Sequence, residues 1–390
     1  MLKRVILILL VSISCYGKGP TICLNMIVKN EADVIARCLE TVKPYIDHWV
    51  IVDTGSTDGT QDIILKTMKG IKGELYQSEW KNFGYNRNES LHYAKGKCEY
   101  ILFIDADEQL LVQGEDPFGS IDKDYYFGHV LQRNTASRRI LLVKDACDWY
   151  WKGIIHESLD CQNAFTNELL TTAQISAETK DGCRSKDPNK ALKDAAVLEQ
   201  GVIDEPNNAR YRFFLGQCYQ NASEFQKALE NYAIRAKMGG WEQEQFYATY
   251  QVGRMQQKLD YPIEEVIKTY NLAVQLRPSR LEPIFELARI HLMRGEVGEA
   301  YILSKHGLSM PFSDDIIHVD GAIYKWGMKV IAAECALKVG AIEEAMNLSD
   351  EILSLEELPE DLAKAMPEFK QKCEEALAQR ILEELSGKRS

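Results

Sequence analysis

No two of the ten cysteines stand at CxxC spacing, which excludes zinc knuckles and thioredoxin-type redox motifs. No basic stretch offsets the formal net charge of -12, so the chain offers no electrostatic footprint for nucleic acid. Long apolar runs are missing as well: residues 5–13 are too few to cross a bilayer as a helix. Asp53-Thr54-Gly55-Ser56 spells the aspartic-protease tetrapeptide, but no second Asp-Thr-Gly or Asp-Ser-Gly occurs. That chemistry needs two carboxylates sharing one proton.

What is present is an ordinary globular composition, 45% hydrophobic and 27% charged over 390 residues, enough for two or three domains. Leu2-Lys3-Arg4 and the apolar residues 5–13 have the layout of a secretory signal. A buried strand or a misassigned start codon is the alternative. Cys23, Cys38 and Cys98 lie in apolar surroundings and are expected to be small buried hydrophobes.

Two short acidic motifs organise the first half. Trp49-Val50-Ile51-Val52 runs into Asp53-Thr54-Gly55-Ser56, and Tyr100-Ile101-Leu102-Phe103-Ile104 runs into Asp105-Ala106-Asp107-Glu108. Both apolar runs are short and cut off abruptly, the pattern of a strand buried on both faces of a parallel sheet. Their carboxylates fall at the carboxyl ends of strands, where open α/β sheets bind ligands. Asp105 and Asp107, two apart, are placed to aim at one hard cation completed by phosphate and water.

Around them, residues 21–28 read as a first strand and 32–42 as a helix with one apolar face. Glu31 is then either a strand-end acid over the sheet or a helix-start acid favoured by the dipole. Thr57-Asp58-Gly59-Thr60 reads as a turn and helix cap. Residues 75–80 read as a third strand, and 125–131 with 138–143 as an antiparallel pair. Gly182-Cys183-Arg184-Ser185-Lys186, rich in cations, is either a solvated linker or a lid closing over a diphosphate.

In order, Val28-Lys29-Asn30-Glu31, Asp53-Thr54-Gly55-Ser56, Asn86-Arg87-Asn88, Asp105-Ala106-Asp107-Glu108 and Gly153-Ile154-Ile155-His156-Glu157 resemble a family 2 glycosyltransferase of the GT-A fold. The resemblance covers roughly residues 21–184. It implies a nucleoside-diphosphate sugar donor, a UDP-sugar before others, with Glu31 and Asp53 on the nucleoside and Arg87 near the diphosphate. Arg184 is expected on the donor as part of the lid. It also implies a divalent metal, manganese or magnesium, with Asp107 the direct ligand, His156 completing the site, and Asp105 on the ribose or a metal-bound water. Inverting transfer asks for one base on the acceptor hydroxyl. Glu157 and Asp148 are the candidates, and Glu157 is preferred. Trp149 and Trp151 are placed either to stack on a sugar or to fill the core.

From Ala191 the pattern is helix after helix. Leu215-Gly216, Val252-Gly253, Leu287-Ala288 and Ala332-Ala333 recur, the Gly253-to-Ala288 step being 35 residues, as in tetratricopeptide (TPR) repeats. Residues 310–325 interrupt the last step. Residues 351–380 read as an acidic capping helix.

The expected architecture is therefore a short segment 1–18, an α/β GT-A domain over 19–185, a TPR superhelix over 186–350, and capping helices over 351–390. Two functions follow from different classes. One is metal-dependent sugar transfer to a protein, peptide or glycan acceptor, the helical repeats holding the acceptor. The other is a catalytically silent scaffold that binds through its repeats. The signal-like start points to export, whereas a nucleotide-sugar donor points to the cytoplasm.

Overall fold

Along Ile22–Val28 (β1) the side chains alternate, and the alternation sorts two cores. Ile22, Leu24, Met26 and Val28 join one apolar cluster, while Cys23 joins another. In the computed structural model, which describes residues 19–132, 135–177 and 181–387, β1 lies inside an eight-stranded sheet. The expected signal segment falls outside the described residues. The chain divides into two compact units, Met1–Lys190 and Ala191–Ser390.

Strand β1 is followed by Ile35–Val42 (α1), His48–Asp53 (β2), Thr60–Thr67 (α2), Lys72–Gln77 (β3), Phe83–Ala94 (α3) and Tyr100–Phe103 (β4). Then come Gln109–Val112 (β5), Tyr125–Gln132 (β6), Thr135–Lys144 (β7), Trp149–Lys152 (β8), Ser158–Cys161 (β9) and Asn167–Ser176 (β10). The sheet order is β3-β2-β1-β4-β7-β6-β10-β5, with β8 and β9 a separate hairpin. Strands β3, β2, β1 and β4 are parallel, with Val28 in register with Asp53. Helices α1 and α2 cover the face holding Leu24 and Met26, and α3 covers the face holding Cys23 and Ile101. Strand order reverses between β1 and β4, so the crevice beyond their carboxyl ends is the place a ligand is received.

The expected third strand, 75–80, stands earlier, at Lys72–Gln77, and α1 begins at Ile35 rather than 32. The reason for the second shift is local: Asn30 takes a left-handed conformation (φ 56°), and the Glu31 carbonyl accepts from Val34 and Ile35 N–H before the helix opens.

The second unit is all helical. It comprises Lys190–Asp204 (α4), Ala209–Asn221 (α5), Phe225–Arg235 (α6), Glu242–Lys258 (α7) and Ile263–Leu276 (α8). These are followed by Glu282–Met293 (α9), Val297–Leu308 (α10), Met328–Lys338 (α11), Ile342–Leu353 (α12) and Glu360–Leu385 (α13). Each helix from α5 to α13 packs on the next, as in a TPR array. The recurrent small residues have a physical reason: a Cβ on Gly216 or Gly253 would stand 2.9 or 2.6 Å from the ring of Tyr232 or Tyr270 on the following helix. The expected helix 351–380 is two pieces, because α12 ends at Leu353 and Pro359 precedes α13. No described helix is long and apolar enough to cross a membrane.

Candidate active site

Asp53 closes β2 and is 1% exposed. Its Oδ1 accepts from the N–H groups of Gly55 and Ser56, both at 2.8 Å, which fixes the turn. Its Oδ2 is buried and has no hydrogen-bond partner. An orphaned carboxylate oxygen at a strand end is costly unless a ligand completes it. Next door, Asp58 accepts from Ala32 N–H at 3.0 Å and from Thr60, which closes the expected turn; the α2 cap itself is Gly59 (φ 92°), which makes no side-chain cap bond.

Three consecutive residues of α3 each reach a different element. Asn86 accepts from Lys81 N–H at 3.0 Å, shaping the chain before the helix. Asn88 donates to Trp151 O at 2.8 Å and accepts from Trp151 N–H at 2.7 Å, locking β8 to α3. Between them Arg87 donates Nε to Glu157 Oε1 at 2.6 Å and Nη2 to Asp105 Oδ1 at 2.8 Å. Two carboxylates fifty-two residues apart are thus held by one guanidinium, whose own affinity for its proton is raised despite burial. Among the described residues nothing bonds Glu157 Oε2.

Asp105 is also 3.5 Å from Arg139 of β7. Burial pushes its carboxyl up, but Arg87 and Arg139 outweigh burial and hold it at about 2. Arg139 bonds Glu108 through both terminal nitrogens, Nη1 at 2.8 Å. Arg87, Asp105, Arg139 and Glu157 line a cavity of about 330 Å³ with Phe103, Ile104, Ile140, Trp151 and Leu159. Trp151 carries Arg87 over its ring at 5.0 Å, and its buried Nε1–H has no acceptor. Trp149, by contrast, donates to Lys144 O and packs in the core.

A second group of acids lies on the other side of Asp105. Burial, then the charges of Asp107, Asp58 and Asp105, push the Glu31 carboxyl up to about 7, although Cys183 N–H donates to it at 3.1 Å. Burial, then Asp105 and Asp181, raise Asp107. The chain from 181 to 186 is pinned over these acids. Asp181 is gripped by Arg37 at 2.7 and 2.8 Å, Lys186 pairs with Asp33 at 2.9 Å, and Arg184 stacks over Phe83 at 4.4 Å. Gly182 leaves room there, since a Cβ would stand 2.6 Å from Asp107 Oδ2 and the Asp107 side chain would have to shift.

Asp148 is not brought to Glu157. It sits at the open end of the β8–β9 hairpin, bonded to Lys95 at 3.0 Å and to Asn163, about 13 Å of strand from the end where Glu157 enters β9. His156 follows in the tight turn before Glu157, with φ 52°. Among the described residues no three His, Cys, Asp or Glu side chains are gathered to enclose one ion. The donor chemistry still fits a hard divalent cation at Asp107, whose carboxyl is loaded with neighbouring negative charge, while Asp105 is already engaged by two arginines. Arg139 and Asp181 were not legible as site residues in the sequence, and Asn88 was legible only as part of the Asn86-Arg87-Asn88 motif. The one available signal for Arg139 was a pair of arginines entering an otherwise apolar strand.

Comparison with known proteins gives four findings. A model of glycosyl transferase family 2 matches residues 23–142. The SPbeta prophage-derived glycosyltransferase SunS of Bacillus subtilis is 26% identical over 214 residues, 51% of this chain and 49% of that protein. A TPR repeat-containing protein of Synechococcus elongatus is 39% identical over 93 residues, 24% of this chain and 22% of that protein. A crystal structure of Staphylococcus aureus TarS residues 1–349 with UDP-GlcNAc superposes with a TM-score of 0.35 at 14% identity, over 77% of this chain and 95% of that one. The chain spans about half the length of SunS.

Proposed function

Residues 23–142 belong to glycosyl transferase family 2, and from that premise we propose that the chain transfers a sugar from a uridine diphosphate donor to a hydroxyl of a protein, peptide or glycan, with inversion. The observation that carries this reading is Asp53 Oδ2, a buried acceptor without a donor at the end of β2. A uracil imide N–H is a donor of the right kind. Arg87 and Arg139, balanced by Asp105, Glu157 and Glu108, are the cavity's guanidinium groups with which a diphosphate would pair. Trp151 Nε1–H is available to a sugar oxygen, and Glu157 Oε2 to the proton leaving the acceptor hydroxyl. A divalent ion, manganese or magnesium, when bound supplies charge that stabilises the departing diphosphate, and Asp107 and His156 would hold it. Glu31 and Arg184 border the nucleoside side, in the segment that Cys183 fastens to Glu31.

Asp53→Asn tests the reading. The Asn retains an oxygen for Gly55 and Ser56 N–H, but turns the vacant acceptor into a donor. UDP should bind about 10–100-fold more weakly. CDP, whose cytosine N3 is an acceptor, should gain on UDP. Equal UDP affinity in calorimetry would remove uridine recognition from Asp53.

A further inference from the structure

Between α10 and α11, residues 311–320 form neither helix nor strand. No main-chain bond joins residues 311–319 to a helix. Instead, side chains of the helices and of the turn between α8 and α9 bond their peptide groups. Gln243 of α7 accepts from Ile316 and Ile317 N–H at 3.1 and 3.3 Å. Arg280 donates to Ile317 O at 3.0 Å and His318 O at 2.9 Å, and Glu282 of α9 accepts from Asp320 N–H at 3.0 Å. Five main-chain groups are thus recognised without any helix backbone taking part.

Three side chains of the segment are held as well. Asp315 is gripped by Arg277 and, at 3.1 Å, by Arg280. Ile317 is 8% exposed. His318 lies against Tyr247 (centroids 4.7 Å) and Phe213, and its Nε2 is 2.7 Å from Gln217 of α5. The neighbours Phe312 and Ile316 are 62% and 80% exposed. The face made by α5, α7, α9 and the α8–α9 turn therefore holds a backbone that bends at Ile316 and Ile317 and is left-handed at His318 (φ 39°), plus Asp, Ile and His side chains.

We propose that this face is a binding site for a bent peptide of the pattern Asp-x-Ile-His, in which the chain's own residues 313–320 sit as a detachable competitor. Side chains that bond a main chain hold a separate peptide as they hold a tethered one. The tether gives the internal copy an effective concentration of about 1 mM, so an external peptide must outcompete it. The partner is a polypeptide with an acid two positions before an aliphatic residue and an imidazole after it. This inference does not depend on the sugar-transfer reading, and its test involves no nucleotide.

The test uses the full chain with residues 313–320 replaced by eight Gly and Ser residues, and a fluorescent peptide Ser-Asp-Asp-Ile-Ile-His-Val-Asp as probe. By fluorescence anisotropy the replaced chain should bind the peptide at least ~10-fold more tightly than wild type. Gln243→Ala or Arg277→Ala in that background should weaken the gain about tenfold, and a probe with Asn for its second Asp should bind more weakly. A folded replacement that binds no better than wild type overturns the proposal. So does one that fails to fold, since the segment is then core. Hydrogen exchange on wild type gives an independent reading: Ile316 and Ile317 amides should exchange through a local opening, ahead of α7 and α9. Exchange only together with those helices overturns it as well. A concentration-dependent dimer of wild type, lost on replacement, would assign the face to a second copy instead.

Discussion

Asp53 in the α/β unit and Arg280 in the helical unit are equally hidden, 1% and 0% exposed, yet only one has its hydrogen bonds met. All five guanidinium N–H groups of Arg280 are used, on Glu282, Asp315 and two carbonyls. Asp53 leaves an oxygen empty. The α/β unit keeps an acceptor open at the end of β2, whereas the network around Arg280 closes itself; Gln251 of α7, 0% exposed with neither amide atom bonded among the described residues, is an open group of the helical unit. Open capacity is where a ligand adds binding energy. Closed capacity is structural, except where the closing group is a segment able to leave.

The largest expected effect tests the closed side. Arg235 is 0% exposed and donates to Glu244 at 3.1 Å and to the carbonyls of Gly239 and Trp241. Arg235→Met leaves those acceptors buried, and should lower unfolding free energy by about 3–5 kcal/mol. Asp53→Asn should stay within about 0.5 kcal/mol of wild type. Urea midpoints measure both. A cost below about 1 kcal/mol for Arg235→Met would erase the distinction between satisfied and open buried groups.

Arg87→Ala is an intermediate case, because Arg87 is structural and faces the cavity at once. Its removal leaves Glu157 and Asp105 without their shared cation, and a loss of about 3 kcal/mol is expected. Adding Glu157→Gln and Asp105→Asn should return most of that stability while leaving turnover abolished. If the triple variant is as unstable as Arg87→Ala, packing of the arginine against Trp151 is what matters.

The contrast also explains what was legible beforehand. Asp53 and Asp105 could be placed because a strand's abrupt end is a local pattern, and Arg87 was singled out only through the resemblance that the Asn86-Arg87-Asn88 motif carries. Arg139 could not, since its position depends on β7 pairing antiparallel with β4, Leu142 beside Leu102. Asp148 stands near Glu157 in the chain, but a hairpin separates them in space. The interruption of the repeats at 310–325 was visible as an irregular step. Where it lies was not, because its partners Gln217, Gln243 and Arg280 are up to about a hundred residues away.

The smallest expected effect separates the units by pH. Glu31 titrates at about 7 in the folded protein, above an ordinary carboxyl, so the native state holds a proton the unfolded chain has released. Its contribution is complete below about pH 4.5 and is lost as pH rises through 7. His318 has the opposite sign: burial, then Arg280, push its imidazole below the usual value, so the helical unit gains stability as pH rises toward 6.5. Glu31→Gln keeps an acceptor for Cys183 N–H and removes only the first titration. The variant should match wild type at pH 5 and exceed it in Tm by on the order of 2 °C at pH 8. The His318 contribution is common to both chains and cancels in that difference. A constant difference between the two proteins from pH 5 to 8 would mean that Glu31 is already ionised across the range. The acids around Asp107 would then exert no pull on it.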